Sequence, residues 1–533
     1  MAGDAFALID GIFRPRSIAV VGASANVDTP GYDYVSSLRK AGYRGAIYPV
    51  NPKAEEILGL RVYRSVAEVS GDVDFVISCV PSEHIIGLVE DCAAKGVRAL
   101  QLFTGRFSET GKQDAIELEE QVRARARALG VRIIGPNCMG LLHPAEGLSF
   151  RADMSTAPGP IGFLSQSGNL LFELTHFAGQ RGFRFSKAVS YGNAMDLNEC
   201  DFLEYLADDT ETRVVGAYIE GVKDGRQFLR SLRTAAGKKP VVVLKGGRTA
   251  AGGRTAASHT AALAGATEVW TAAVAQAGAV AVDTVEELID MLLGFAYMKP
   301  WREDEGRRTE EEKRTTKEGG EEGTERGYRG QSPLPGGSGG VPPSSPSSGG
   351  GGRRGEAVHR PRVGMVGAGG GRSVLTADLC EELGLSVPPL PTDVERKVAE
   401  KAPDLAGWVT NPVDQSILAG SGMGGAQVLE WLDDSPGIDM LVGNIGEPWA
   451  FGRPDPERII DRVAERFSQV AQRTQKPFAV VMAPSDYSDE AQWRAVSRAR
   501  ERMVEAGVAL FPSVERAVGT LARMARARRH GGG

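Results

Sequence analysis

Residues 17–22 have the sequence SIAVVG, and this short apolar run indicates the fold class of the chain. A turn rich in glycine and proline follows it, and helical spacing then begins with Val35, Leu38 and Ala41. Four more apolar runs continue the alternation, at 46–50, 73–80, 97–103 and 131–134. Because amphipathic helical segments separate these continuous apolar strands, the pattern predicts a parallel sheet that helices cover on both faces.

The same alternation restarts twice further along the chain, at 161–164 and at Arg362. Between these two units the composition changes to mixed charges and then to PLPGGSGGVPPSSPSSGGGG, in which almost nothing could be buried. Burial therefore cannot offset the entropic cost of ordering this segment. The sequence predicts three doubly wound α/β domains, over 1–150, 151–299 and 361–529, with a disordered linker over 300–360.

Composition excludes several classes of protein. With a net charge of −6, the 533-residue chain has no overall basic field for a nucleic-acid backbone. The five cysteines are scattered without a C-x-x-C pair, which disfavours a disulfide framework or a zinc site. The N-terminus does not resemble a secretory signal, and no apolar run reaches the ~18 residues of a membrane span. These features predict a cytoplasmic protein with no nucleic-acid or membrane partner.

The turn after the first apolar run places free backbone N–H groups at a helix N-terminus, which favours a phosphate ligand. It lacks the G-x-G-x-x-G spacing of a dinucleotide site, and the second strand leads into Lys53. An NAD site needs an acidic residue there for the ribose hydroxyls. The pattern therefore favours a phosphorylated nucleotide other than NAD and disfavours an NAD-linked oxidoreductase. A tight turn with a surface lysine is the alternative.

Two further strand-to-helix turns have the composition of anion sites. Residues 165–168 read SQSG, in which hydroxyls precede a predicted helix N-terminus, although an ordinary serine cap would look the same. Residues 367–373 read GAGGGRS, with more consecutive glycines than capping requires.

The stretch 245–265, KGGRTAAGGRTAASHTAALAG, consists mostly of small residues and contains His259 where a helix over 260–276 is predicted to begin. A neutral imidazole attacks phosphoryl groups well, and a helix N-terminus stabilises the resulting phosphohistidine. Glu220, at the end of the predicted strand 214–219, could orient that imidazole. A solvated acid at the end of a strand is the alternative for Glu220.

Together these motifs resemble the ADP-forming acyl-CoA synthetases of the succinyl-CoA synthetase superfamily. Their order and spacing match the α part of that family over roughly residues 8–298 and 361–526. The motifs are VVGAS (20–24), YPVNPK (48–53), VPSE (80–83), GPNCMG (135–140), FLSQSG (163–168), YIEGVKDGRQF (218–228), SHTAALAG (258–265), GAGGGRSVLTAD (367–378) and TNPVD (410–414). The chain departs from the family pattern at Ala261, where S-H-T-G is usual, and at 104–107, where S-A-G-F is usual.

The resemblance implies a Rossmann-like CoA-binding domain followed by two flavodoxin-like ligase domains. It implies the reversible reaction of acyl-CoA, ADP and phosphate to a carboxylic acid, CoA and ATP, with His259 as phosphate carrier and Glu220 as its partner. The implied phosphate-binding residues are Ser165, Ser167 and Gly168 at one helix N-terminus and Gly369, Gly370 and Gly371 at a facing one. The implied CoA-binding residues are Gly22, Ala23, Ser24, Lys53, Val80, Pro81 and Asn137.

The chain leaves no segment large enough for the ATP-grasp module that such a reaction needs. The resemblance therefore implies a hetero-oligomer with an ATP-grasp β subunit, which would hold most of the ATP or ADP and the Mg²⁺, and no metal site on this chain. A CoA- or acyl-CoA-binding regulatory protein without turnover is the alternative. The sequence does not specify the acyl group of the small carboxylic acid.

Overall fold

The computed structural model describes most of the chain outside two long segments. The described residues are 3–249, 267–301, 360–367, 370–418, 421–446, 450–451, 453–484 and 489–531. The segment 250–266, which contains His259 and Ala261, lies outside them, as do Gly369 and most of the predicted linker over 300–360.

The described strands form three larger sheets and one hairpin. Their bounds are β1 (Ser17–Val21), β2 (Ala46–Val50), β3 (Glu56–Ile57), β4 (Leu60–Arg61), β5 (Phe75–Ser78), β6 (Ala99–Leu102), β7 (Arg132–Ile134), β8 (Gly140–Leu142), β9 (Ile161–Ser165), β10 (Phe185–Ser190), β11 (Val214–Ile219), β12 (Val241–Lys245), β13 (Val280–Val282), β14 (Val363–Gly367), β15 (Val413–Asp414), β16 (Met440–Asn444), β17 (Phe478–Val481) and β18 (Leu510–Phe511).

Helices follow most of these strands and cover the sheets. Those in the described ranges are α1 (Gly3–Phe13), α2 (Pro30–Lys40), α3 (Ile85–Lys95), α4 (Gln113–Leu129), α5 (Gly168–Arg181), α6 (Glu199–Asp208), α7 (Gly225–Ala236), α8 (Thr267–Gln276), α9 (Val285–Tyr297), α10 (Gly370–Glu382), α11 (Thr392–Lys401), α12 (Gly425–Asp434), α13 (Pro456–Arg473), α14 (Glu490–Glu505) and α15 (Val514–Gly531). No helix in this part of the chain is long and apolar enough to cross a bilayer.

The strand orders confirm the predicted α/β class. The first sheet has the order β2-β1-β5-β6-β7, the second β13-β12-β11-β9-β10-β8 and the third β15-β14-β16-β17-β18. All the pairings in the first and third sheets are parallel. The central strands β5, β6, β9 and β12 are buried along their whole length, as strands covered by helices on both faces require.

One strand joins a sheet that its position in the sequence does not suggest. β8 comes directly after the first sheet in the chain, but it pairs antiparallel with β10 at the edge of the second sheet. The N-terminal helix α1 also packs on the second domain, where the Tyr205 hydroxyl of α6 donates a hydrogen bond to Asp10 at 2.9 Å. The described residues within 1–300 and 361–533 accordingly form one compact unit.

A buried lysine stabilises the second domain from within. Lys187 of β10 is fully buried, and its ammonium group donates hydrogen bonds to Asp209 at 2.8 Å and to Glu211. The carboxylate of Glu211 also pairs with Arg14, which directly follows α1, at 2.9 Å. The network therefore connects α1 to the second sheet.

Candidate active site

The second sheet places its candidate residues in a row. β9 lies between β11 and β10, so the carboxyl ends of these three parallel strands are adjacent. Glu220 follows β11, the SQSG turn follows β9, and the loop from Tyr191 to Asn198 follows β10. Ligands of open α/β sheets bind beyond such carboxyl ends.

Glu220 is buried, with 8 % of its surface exposed, so the interpretation of it as a solvated acid is wrong. The side-chain oxygen of Gln166 accepts hydrogen bonds from the backbone N–H groups of Glu220 and Gly221, the latter at 3.0 Å. One carboxylate oxygen, Oε2, is buried and has no hydrogen-bond partner in the described part of the chain. Burial and the adjacent Glu220 carboxylate raise the pKa of Tyr218, so this phenol stays protonated and neutral.

Residues on both sides of the segment that contains His259 meet at Lys245, which contacts Glu220. Before the segment, Lys245 donates a hydrogen bond to the backbone oxygen of Glu220 at 2.5 Å, and burial lowers the pKa of this lysine. After the segment, Trp270 of α8 places its ring centroid 5.5 Å from the Lys245 ammonium nitrogen. A Cβ atom on Gly246 would come within 3.1 Å of the Glu220 Cγ, so the chain leaves β12 in close contact with the acid.

The SQSG turn is a helix N-terminus that serine caps. The Ser167 hydroxyl accepts a hydrogen bond from the Leu170 N–H at 3.2 Å, and the buried Ser165 hydroxyl donates to the Ser167 carbonyl at 2.7 Å. Both hydroxyls are thus engaged within the turn. The first two N–H groups of α5, those of Gly168 and Asn169, have no partners within a helix and are available to an anion.

In the third domain, Gly370 and Gly371 begin α10 after β14. They therefore belong to a helix N-terminus, as the sequence predicts. Their neighbour Gly369 is outside the described ranges.

The predicted CoA-binding residues gather at the carboxyl end of the first sheet. Gly22 follows β1 with φ +85°, and a Cβ atom there would be 3.1 Å from the carbonyl carbon of Cys79. Ala23 is fully buried, and its carbonyl accepts a hydrogen bond from the Asn51 amide at 2.7 Å. The turn after β1 therefore packs closely against the residues that follow β5, an approach that glycine at this position allows.

The other predicted CoA residues surround this turn. The Ser24 hydroxyl accepts a hydrogen bond from the Asn26 N–H, and the exposed Lys53 is held near Ala23 through Asn51. Val80, with Pro81 after it, follows β5, and its carbonyl accepts a hydrogen bond from the Thr104 hydroxyl. The exposed Asn137 donates its N–H to the Thr104 carbonyl at 3.0 Å. The structure thus brings all seven residues to the carboxyl end of the first sheet.

A carboxylate that the sequence did not single out holds the loop at 104–107. Glu109 accepts hydrogen bonds from the backbone N–H groups of Arg106 and Phe107, the latter at 3.0 Å. Its Oε2 also accepts a hydrogen bond from the Asn193 side-chain amide at 2.6 Å. Glu109 therefore connects the first domain to the loop after β10 of the second.

Arg106 has a left-handed backbone, with φ +72°, although its side chain is exposed. Since this conformation is costly for a residue with a Cβ atom, Arg106→Gly is expected to raise the free energy of unfolding by about 0.5–1 kcal/mol. Chemical denaturation measures this change. The matched variant Arg44→Gly, at an exposed loop position without positive φ, should lower stability instead. Equal effects of the two variants would contradict the explanation.

Sequence reasoning missed Gln166, Lys245, Glu109 and Asn193. Gln166 and Lys245 lie inside the motifs 165–168 and 245–265, in which the sequence analysis selected other residues. Their position in these motifs could have identified them as candidates. Glu109 and Asn193 meet only through packing between domains, and no local pattern indicates their contact. No cluster of histidine, cysteine or acidic side chains among the described residues could hold a metal ion.

Comparisons with known proteins identify the family of this chain. The CoA binding domain family matches residues 16–144, and the succinyl-CoA ligase like flavodoxin domain family matches residues 158–295. The α subunit of an ADP-forming acetate–CoA ligase II from Pyrococcus furiosus is 32 % identical over 436 residues, which cover 82 % of each chain. The chain belongs to the ADP-forming acyl-CoA synthetases. Within this family of acid–thiol ligases it aligns with the α subunits.

Two other proteins show the same relationship. An ADP-forming acetate–CoA ligase from Methanocaldococcus jannaschii is 39 % identical over 286 residues, and the match covers 54 % of this chain and 40 % of that longer protein. The solved structure of the acetyl-coenzyme A synthetase 1 of Ca. Korarchaeum cryptofilum, in complex with phosphate and ADP, superposes with a TM-score of 0.74. It is 26 % identical, and the match covers 98 % of each chain.

Proposed function

We propose that this chain is the α subunit of an ADP-forming acyl-CoA synthetase that transfers phosphate through His259. It interconverts acyl-CoA, ADP and phosphate with a carboxylic acid, CoA and ATP. The observation that carries this assignment is the buried Glu220 Oε2, which has no hydrogen-bond partner among the described residues. Lys245, before the segment that contains His259, bonds to Glu220 and contacts Trp270 after that segment. An acceptor in that position suits the second ring nitrogen of a phosphohistidine.

In the proposed reaction, the chemical steps take place beyond the adjacent strand ends of the second sheet. Phosphate bound at the N-terminus of α5 attacks the thioester carbonyl, the thiolate of CoA leaves, and an acyl phosphate forms. An imidazole nitrogen of His259 then attacks the phosphorus, and the carboxylate leaves. The N–H groups of α5 stabilise the negative charge of the phosphoryl group in both steps. The backbone cradle around Gly22 holds CoA at the neighbouring domain.

The last step needs a nucleotide and a second protein. ADP accepts the phosphoryl group from His259 to give ATP, with Mg²⁺, on an ATP-grasp β subunit. The Pyrococcus furiosus relative is named an α subunit, which supports such a partner. The assignment includes a CoA-binding domain over 1–150, a ligase domain over 151–299 and a second ligase domain over 361–529, in a cytoplasmic hetero-oligomer.

Phosphorylation of the chain tests the proposal directly. The full chain, incubated with acetyl-CoA and labelled phosphate, is expected to acquire acid-labile label at His259, and His259→Ala to acquire none. Adding ADP and an ATP-grasp partner should discharge the label as ATP. Mass spectrometry locates the phosphorylated residue.

The outcome separates this function from its alternative. CoA binding without any labelling, with and without the partner, would indicate a CoA-binding regulatory protein. Labelling that persists in His259→Ala would show that another residue carries the phosphate.

A further inference from the structure

Asn193 lies in the loop after β10, and its side-chain amide forms a hydrogen bond through the NH₂ group but not through the oxygen among the described residues. It is buried, with 3 % of its surface exposed, and its side-chain NH₂ donates to Glu109 at 2.6 Å. Because a carboxylate can only accept, this bond fixes the orientation of the amide. The amide oxygen Oδ1 is buried and receives no hydrogen bond from any residue that the structure describes. A buried acceptor without a donor costs free energy, so this oxygen suits a donor that arrives with a ligand.

The backbone around Asn193 lies directly against the turn at 135–140, which contains the predicted CoA-binding residue Asn137. The Asn193 N–H donates to the Pro136 carbonyl at 3.0 Å. Its neighbour Gly192 has φ +53°, and a Cβ atom there would be 2.1 Å from that same oxygen and 2.5 Å from the Asn137 carbonyl. Only glycine permits this approach, and it places Asn193 next to the exposed Asn137.

The loop that contains Asn193 begins beside the turn at 165–168. Tyr191, the first residue after β10, donates its N–H to the Ser165 carbonyl at 3.0 Å. The Ser190 hydroxyl, at the end of β10, accepts a hydrogen bond from the Met139 N–H at 3.2 Å, so the turn at 135–140 contacts the end of this strand. Asn193 thus follows a strand end that contacts both the turn at 135–140 and the turn at 165–168.

We propose that Asn193 positions the reactive end of CoA by accepting a hydrogen bond from an amide N–H of its pantetheine arm. The proposal rests on the proposed function and extends it. CoA reaches the phosphate turn only through this arm, whose amides carry N–H donors for Oδ1. Glu109 holds the amide in the correct orientation, so it acts on CoA through Asn193.

The test compares CoA with adenosine 3′,5′-bisphosphate, which lacks the pantetheine arm. Calorimetric titration of the full chain is expected to show that Asn193→Ala weakens CoA binding by about 3- to 10-fold, the effect of one hydrogen bond. Binding of adenosine 3′,5′-bisphosphate should be unchanged. With the partner subunit, KM for CoA should rise, while labelling of His259 from ATP without CoA should proceed at the parent rate.

Two further variants keep the test decisive. Asn193→Ser serves if the alanine variant does not fold, and should give the same selective loss. Asn411→Ala removes an amide of the third domain that bonds to Met365, Val363 and Pro388, and should leave both affinities at parent values. Equal weakening of CoA and of the bisphosphate, or weakening of neither, would overturn the role of Asn193. A parent chain that binds neither ligand would instead contradict the proposed function.

Discussion

Glu220→Gln is expected to slow phosphorylation of His259 by about 10- to 100-fold, the usual effect of losing a residue that orients a functional histidine. The amide has the size of the carboxylate but no negative charge, so it stabilises a protonated or phosphorylated imidazole less well. The buried position of Glu220 strengthens the effect, because water does not screen the charge there. Single-turnover labelling with acyl-CoA and phosphate measures the rate.

A matched variant separates this effect from a general loss of structure. Glu119 is a similarly buried glutamate of the first domain, and it accepts a hydrogen bond from the Ser108 N–H at 3.0 Å. Glu119→Gln should leave the labelling of His259 from ATP, with the partner subunit and without CoA, at the parent rate. If Glu220→Gln also labels at the parent rate under these conditions, Glu220 does not orient the histidine.

Lys187→Met is expected to lower the free energy of unfolding by about 3–5 kcal/mol, because it leaves the carboxylate of Asp209 buried without its counter-ion. Asp209 has 3 % of its surface exposed, and its remaining side-chain bond comes from the Thr212 hydroxyl at 2.6 Å. Urea denaturation measures the change. The double variant Lys187→Met/Asp209→Asn should recover part of the loss, since the uncompensated charge is then gone.

A surface pair provides the control for this prediction. Lys238 and Asp208 form an ion pair at 2.5 Å on the same domain, with 42 % and 32 % of their side chains exposed. Lys238→Met should cost about 1 kcal/mol or less, as exposed pairs do. Similar losses in the two lysine variants would contradict the buried-charge explanation.

The lysine network also predicts a dependence on pH. Burial alone would raise the pKa of Glu211, but hydrogen bonds from Lys187 and Arg14 lower this pKa to about 2. A carboxyl whose folded pKa is depressed stabilises the fold above its unfolded pKa and loses that contribution as pH falls toward the folded value. In Lys187→Met, acid should therefore reduce stability less steeply between about pH 4.5 and pH 2 than in the parent.

Local patterns were sufficient for the fold class and for the strand-to-helix turns that the described candidate residues occupy. The apolar run 17–22 and its successors predicted parallel sheets, because burial on both faces leaves a continuous apolar signature in each strand. The turns at Gly22 and at 165–168 were recognisable because close backbone approach and helix capping require particular residues at particular positions. Such requirements act over a few residues, so a sequence displays them directly.

Packing decided the features that no short segment contains. β8 follows the strands of the first sheet in the chain, yet it pairs with β10 at the edge of the second sheet. This pairing depends on how the two domains pack against each other. The bond between Asn193 and Glu109 joins residues 84 positions apart, and the burial of Glu220 depends on elements packed around the end of β11. Periodicity describes which face of an element is apolar, but only the assembled fold determines which polar atoms are enclosed together and left without partners.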